Sequence, residues 1–259
     1  MRTVAPGAMP SLRQLVDALV DLQAAIRERQ RLAMTPRELD WLTALGNACD
    51  LGERRARERS ERCRQLAAQA GGFATMEFAF LYEPTRHLLA VGYNVDNCRR
   101  DTSFYDLLAS EARLGSFVAI SQGQLPQESW FALGRLLTQA GGKPLLVSWS
   151  GSMFEYLMPQ LVMPTYERTL LDQTAKAAVA RQIEYGRQRG VPWGMSESAY
   201  NTVDAQLNYQ YRAFGVPGLG LKRGLAEDLV VAPYASVMAL MVAPVEACTN
   251  LLRLAADGF

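Results

Sequence analysis

Histidine is almost missing from this sequence: His87 is the only one in 259 residues. Its scarcity removes most Ser–His and Cys–His nucleophilic mechanisms. Cysteine is sparse too. Cys49, Cys63, Cys98 and Cys248 lie far apart and form no CxxC pair, so the ligand spacing of a structural zinc site is lacking and no metal is expected. Their number would allow disulfides, but four free thiols in a reducing compartment is the simpler reading. No stretch of eighteen uninterrupted apolar residues occurs, so no transmembrane helix is expected. The opening MRTVAPGAMPSLRQ lacks the apolar core of a signal peptide. The net charge of +1 leaves no electrostatic footprint for nucleic acid. GVPGLGLKRGL at 215–225 has four glycines but not the spacing of a phosphate loop, and it reads as a structural turn. No cofactor is expected. If the chain is an enzyme, carboxylates carry the chemistry.

What is present is a globular composition, 49% apolar and 20% charged, in a length that suits one domain with or without a helical extension. Leu12, Leu15, Leu19, Leu22 and Ile26 form one helical stripe over 11–33. TPRE at 35–38 opens a second helix with Thr35 as cap, Pro36 in the first turn and Glu38 completing a capping box. That helix runs into GERRARERSERCRQ, a charge run that reads as a solvated face of Glu–Arg pairs. Gly71-Gly72 is expected to break it. Two runs of β-branched and aromatic residues flank EPTR within 76–96 and predict a hairpin. Helices are then expected over 102–120, over 126–142 with a Gly-Gly C-cap, over 170–190 with Glu184 pairing on its surface, and twice within 230–259.

Two glutamates stand out. Glu155 sits in WSGSMFEYLMP among Trp149, Met153, Phe154 and Tyr156, on a short helix that Pro159 stops or follows. Glu197 sits in VPWGMSESAYN beside Trp193, with Ser196 as the cap of an expected helix. An ionised side chain in apolar surroundings is unfavourable unless paired, hydrogen-bonded or used. Apolar neighbours also raise a carboxyl's pKa, which suits a general acid in glycoside chemistry. The plainer readings stay open: Glu155 as a structural anion on backbone amides, and Glu197 as a partner of the helix dipole. Glu111, inside an apolar stripe, either pairs with an arginine or meets substrate; Asp106 either lines a pocket or faces water. Trp149, Tyr156, Trp193, Tyr200, Tyr209 and Tyr211 offer flat faces for pyranose rings, and Asn201, Asn208, Gln210 and Arg212 offer hydrogen bonds to hydroxyls.

YNVD, YDLLASEARL, WSGSMFEYLMP, LLDQT, RQIEYG, GVPWGMSESAYN, NYQYRAFGVPGLGLKRGL and DLVVAPYA follow one another in this order. Together they resemble the glycoamylase-like region of bacterial cyclic β-1,2-glucan synthases. The resemblance covers most of 76–259, and residues 1–75 are similar, more weakly, to the helical segment before that region. It implies a mainly α fold, an (α/α)6 toroid with a cleft at one end, carrying a small β-hairpin and an N-terminal helical extension. The extension would span 1–72 and the barrel domain 73–259. The family continues past the position of Phe259 with further helices and a Tyr-Glu-Ala segment, so the toroid is expected to be incomplete at its C-terminus and the nucleophile could lie in that segment. The implied activity is retaining transglycosylation that closes linear β-1,2-glucan into a ring, without cofactor. An endo-β-1,2-glucanase-like hydrolase and a non-catalytic glucan-binding module are the alternatives. By the resemblance, Glu197 is the leading catalytic carboxylate, in the acid/base role, and Glu155 the second. The partners implied are β-1,2-glucan and the other domains of a larger synthase on the cytoplasmic face of the inner membrane.

Overall fold

In the computed structural model, which describes residues 9–32 and 35–258, Ser11 and Gln14 open the first helix by a reciprocal capping box. This helix, α1, runs over Leu12–Arg31; residue 33, its expected end, lies outside the described residues. The second, α2, spans Pro36–Ala74 behind the Thr35 cap, whose hydroxyl accepts the Glu38 N–H at 3.2 Å. Glu38 itself binds Arg29 at 2.8 Å. Ile26, Leu42 and Cys49 form the core of the pair. The charge run reads out as its spacing predicts, with Arg57 on Glu53 and Arg64 on Glu61. Gly71 and Gly72 lie inside α2, so the expected break there is wrong. Each glycine costs a helix about 1 kcal/mol relative to alanine, and the Ala-rich QLAAQAGGFA carries the helix through. These two helices belong to the first of two compact units, Met1–Met76; the second is Glu77–Phe259.

In the second unit the expected hairpin over 76–96 becomes two very short ones. β1 (Tyr82–Glu83) pairs with β2 (Leu88–Leu89) across the EPTR turn, and β3 (Tyr93–Asn94) pairs with β4 (Arg99–Arg100). Phe78 and Leu89 pack with Ala119 and Leu125 instead of extending a ladder. Residues 102–110 are not helical, contrary to their periodicity. Their backbone hydrogen bonds run sideways: Gly134 N–H donates to Asp106 O at 2.6 Å and Leu108 N–H to Gly134 O at 3.0 Å. Helix α3 therefore covers only Arg113–Ser121.

The helix expected over 126–142 is also corrected. Only α4 (Glu128–Ala132) forms, followed by an antiparallel pair, β5 (Leu137–Ala140) and β6 (Lys143–Leu146). Gly141 and Gly142, at φ +57° and +75°, make the tight turn between them; two successive left-handed residues match the twist of a hairpin, which only glycine adopts freely. Next come α5 (Met153–Leu157), a 3-10 turn over Met158–Leu161 containing Pro159, and α6 (Leu170–Arg189) between its Thr169 cap and left-handed Gly190. Glu184 pairs with Arg181 on α6, as its spacing predicts.

No helix starts at Ser196. Gln182, on α6, binds both the N–H and the C=O of Met195, at 2.9 and 2.8 Å, and holds that segment extended. The chain then enters β7 (Ser198–Val203), antiparallel to β8 (Tyr209–Arg212). Helices α7 (Pro233–Ala239) and α8 (Pro244–Ala256) complete the unit. The chain is mainly α, about half helical, with small antiparallel sheets. Leu145, Leu146, Met153, Leu157, Val179 and Leu219 form the centre of the core.

Candidate active site

Glu155 is the third residue of α5 and is only 4% exposed. Its Oε2 accepts from Ser148 Oγ at 2.8 Å, Ser150 Oγ at 2.7 Å and Ser152 N–H at 3.2 Å, and Ser150 N–H donates to both oxygens at 3.0 Å. The Ser152 hydroxyl returns the capping bond to Glu155 N–H. Three serines at alternate positions of SWSGS, residues 148–152, thus replace the water that this carboxylate loses on burial. Among the described residues no cation pairs with it.

The serine loop lies against the glycine-rich GVPGLG. Ser148 N–H donates to Leu219 O at 3.0 Å, and Lys222 N–H to Trp149 O at 2.8 Å. The Tyr156 hydroxyl, buried behind the loop, sits 2.6 Å from Leu219 O and accepts Ser148 N–H. Here the glycines serve close backbone approach, in keeping with a structural turn.

Arg113, 3% exposed, fastens the segment before α3 to α5. Its guanidinium donates to Ser110 O, Glu155 O and Tyr156 O at 3.1, 3.2 and 2.9 Å. Burial lowers its pKa to about 10, so it stays charged at neutral pH. Replacing Arg113 by methionine leaves these carbonyls without donors, and we expect a loss of about 2–3 kcal/mol in a denaturant titration. A loss below about 0.5 kcal/mol, the range of ordinary surface changes, would contradict this role.

The two elements Arg113 joins carry two carboxylates into one cleft. This cleft, about 580 Å³, is lined by Glu111, Glu155, Glu197, Asp106, Trp149 and Arg86, among others. Glu111 is half-buried and accepts the Ser110 hydroxyl at 3.1 Å. Burial pushes its carboxyl above the usual carboxylate range, and the charges of Glu155 and Glu197 push the same way. Glu197, just before β7, accepts the Tyr211 hydroxyl from β8. Trp149, 60% exposed, presents its ring at the cleft, and the Arg86 guanidinium stacks 4.7 Å from the centre of the Phe104 ring.

The other expected site residues are distributed unevenly. Tyr156 and Trp193 are core side chains and do not line the cleft. Tyr209 and Tyr211 stand exposed on β8. Tyr200 bonds Arg212 at 2.9 Å and packs edge-on to Phe214. Asn208 and Gln210 are engaged by Asp204 in the β7–β8 turn. Asn201 falls within β7. Sequence reasoning missed Ser148, Ser150 and Ser152 and also Arg113; the signal that could have found the serines is the capping-box spacing of Ser152 and Glu155.

Residues 103–257 match the glycoamylase family, whose description reads "Putative glucoamylase". The cyclic beta-(1,2)-glucan synthase NdvB of Rhizobium meliloti (strain 1021) is 52% identical to this chain over 198 residues, which is 76% of the chain and 7% of that protein. The chain therefore spans a small part of the relative it matches. No helix among the described residues is long and apolar enough to cross a membrane. With Glu111, Glu155 and Glu197 of the cleft all inside the matched segment, the chain belongs to the glycoamylase family.

Proposed function

We propose that this chain acts on linear β-1,2-glucan by retaining transglycosylation and closes it into a ring. Glu111 and Glu197 are the reacting pair. The observation that carries the reading is their sharing of one cleft, in which Glu111 is half-buried and pushed toward its protonated form by burial. A carboxyl whose pKa is raised protonates the leaving oxygen, while a second attacks the anomeric carbon. Glu197 takes the attacking role here rather than the acid/base role its motif suggests. Glu155, expected as the second catalytic carboxylate, becomes a fixed anion behind the pair, because its oxygens are occupied by serine donors. Its charge helps keep Glu111 protonated.

After the glycosyl-enzyme forms, Glu111 turns base and deprotonates the acceptor. Ring closure needs the glucan's own distal hydroxyl to outcompete water, which an aromatic-walled cleft favours. Trp149, Tyr211 and Tyr209 offer sugar-stacking faces, Tyr200 flanks them on β7, and Asp106 supplies a hydrogen-bond acceptor. The (α/α)6 toroid belongs to the same reading, as do a barrel domain over 73–259, a helical extension over 1–72 and a place among further domains at the cytoplasmic face of the inner membrane.

The pH dependence of turnover of linear β-1,2-glucan tests it. The acid must carry its proton, so activity should fall as pH rises through the raised pKa of Glu111. Glu111→Gln should lower turnover by about 10²–10⁴-fold and abolish that basic limb. A variant that keeps the wild-type profile would refute the assignment.

A further inference from the structure

We propose that Tyr211 is a positioning residue for Glu197: its hydroxyl holds Oε2, so that Oε1 is the oxygen presented to the cleft. The inference rests on the reading in which Glu197 reacts.

The backbone of Glu197 is fixed without Tyr211. The Tyr234 hydroxyl, from α7, lies 2.7 Å from Glu197 O and 2.9 Å from Ser196 Oγ, and Ser196 Oγ in turn accepts the Phe154 N–H of α5 at 2.9 Å. Residues 196 and 197 are thus tied to two helices. The carboxylate itself is not. Among the described residues its one hydrogen-bond partner is the Tyr211 hydroxyl. That hydroxyl is delivered by sheet register: Tyr211 pairs with Ala199, two residues beyond Glu197, on the neighbouring strand.

Tyr211 is 54% exposed, so packing its ring is not what holds it there. Its pKa is raised, first by burial of the hydroxyl and then by the hydrogen bond to Glu197 and that group's charge, with Tyr234 and Glu111 adding to the effect. It therefore keeps its proton and remains a donor. An untethered glutamate samples several rotamers, and a misplacement of about 1 Å at a reacting atom costs on the order of 10²-fold in rate.

The competing roles for Tyr211 are a sugar platform and a strand filler, and phenylalanine preserves both. The test compares the full chain with its Tyr211→Phe and Glu197→Gln forms. With tyrosine labelled at the ζ carbon, the Tyr211 resonance is identified by its loss in Tyr211→Phe. Glu197→Gln should move it upfield, since a phenol that donates to a carboxylate is shifted downfield, while the resonances of tyrosines remote from Glu197 stay in place. On linear β-1,2-glucan, Tyr211→Phe should lower kcat by about 10- to 100-fold and leave KM within about twofold. A Tyr211 resonance indifferent to Glu197→Gln would overturn the inference, and so would a Tyr211→Phe enzyme with wild-type kcat. If the wild-type chain turns over no glucan, the proposed function fails, and the resonance still decides whether Tyr211 holds Glu197.

Discussion

Gly215→Ala should cost about 4 kcal/mol of stability or prevent folding of the second unit altogether. A Cβ built at Gly215 would lie 1.9 Å from Ser150 O, 2.6 Å from Gly151 C and 2.8 Å from Ser150 C. All three are backbone atoms, which cannot swing aside as a flexible side chain does. The strain is steric, because the backbone at 215 does not need the left-handed region. The neighbour it would strike, Ser150, supplies the N–H that bonds both Glu155 oxygens, and a Cβ at Gly220 would lie 2.5 Å from Gly151 N. Relief by moving the serine loop would strip donors from a buried carboxylate, which is itself unfavourable. Gly115→Ala is the control: on α3, with nothing within 4 Å of the added carbon, it should be neutral or stabilise by up to about 1 kcal/mol. Urea titrations of both variants measure the difference. A Gly215→Ala protein within about 1 kcal/mol of wild type would mean that the two loops are not in this contact.

Glu197→Gln should reduce turnover by on the order of 10³-fold or more, with glucan binding retained. Glutamine keeps the size of the side chain and can still accept the Tyr211 hydroxyl through its carbonyl oxygen, so the main-chain ties through Tyr234 and Ser196 survive. What is lost is the negative oxygen that attacks the anomeric carbon. Because the fold around 197 is held by Gln182 and Tyr234 rather than by the carboxylate, the variant's thermal midpoint should stay close to that of the parent. A variant that is inactive only because it is unfolded would not meet this expectation, and calorimetry beside the assay separates the cases.

Helices with strong local punctuation were legible in the sequence. The Leu12–Ile26 stripe, Thr35 with Pro36, and the run over 170–190 closed by Gly190 depend on neighbouring residues only, and the helices lie where those signals put them. The errors cluster where long-range hydrogen bonds win. Residues 102–110 have helical periodicity, but their backbone is taken by Gly134. Gly141-Gly142 suits a helix end and a hairpin turn alike, and only the pairing of β5 with β6 decides. PWGMSES looks like a helix entry because Ser196 is a good cap; Gln182, thirteen residues before Met195, holds the backbone of Met195 extended instead.

The site shows the same division. That Glu155 and Glu197 are unusual was visible in their apolar company. Sequence spacing could not reveal that Glu155 is enclosed by Ser148, Ser150 and Ser152 while Glu111 stands in the cleft, because the cleft is made by bringing 103–111, 149–155 and 197 together in space. Trp193 and Tyr156 looked like sugar platforms for want of that information; an aromatic residue next to a glycine and a serine reads alike in a core and at a surface.

The most direct test is to incubate the purified chain and its Glu197→Gln form with linear β-1,2-glucan and weigh the products by mass spectrometry. The account predicts products one water lighter than the linear chain of the same length, absent with the variant. Shortened linear chains would replace cyclisation by hydrolysis at the same site. An unchanged substrate from a folded wild-type chain, or light products that persist in Glu197→Gln, would contradict the proposal that these carboxylates close the ring.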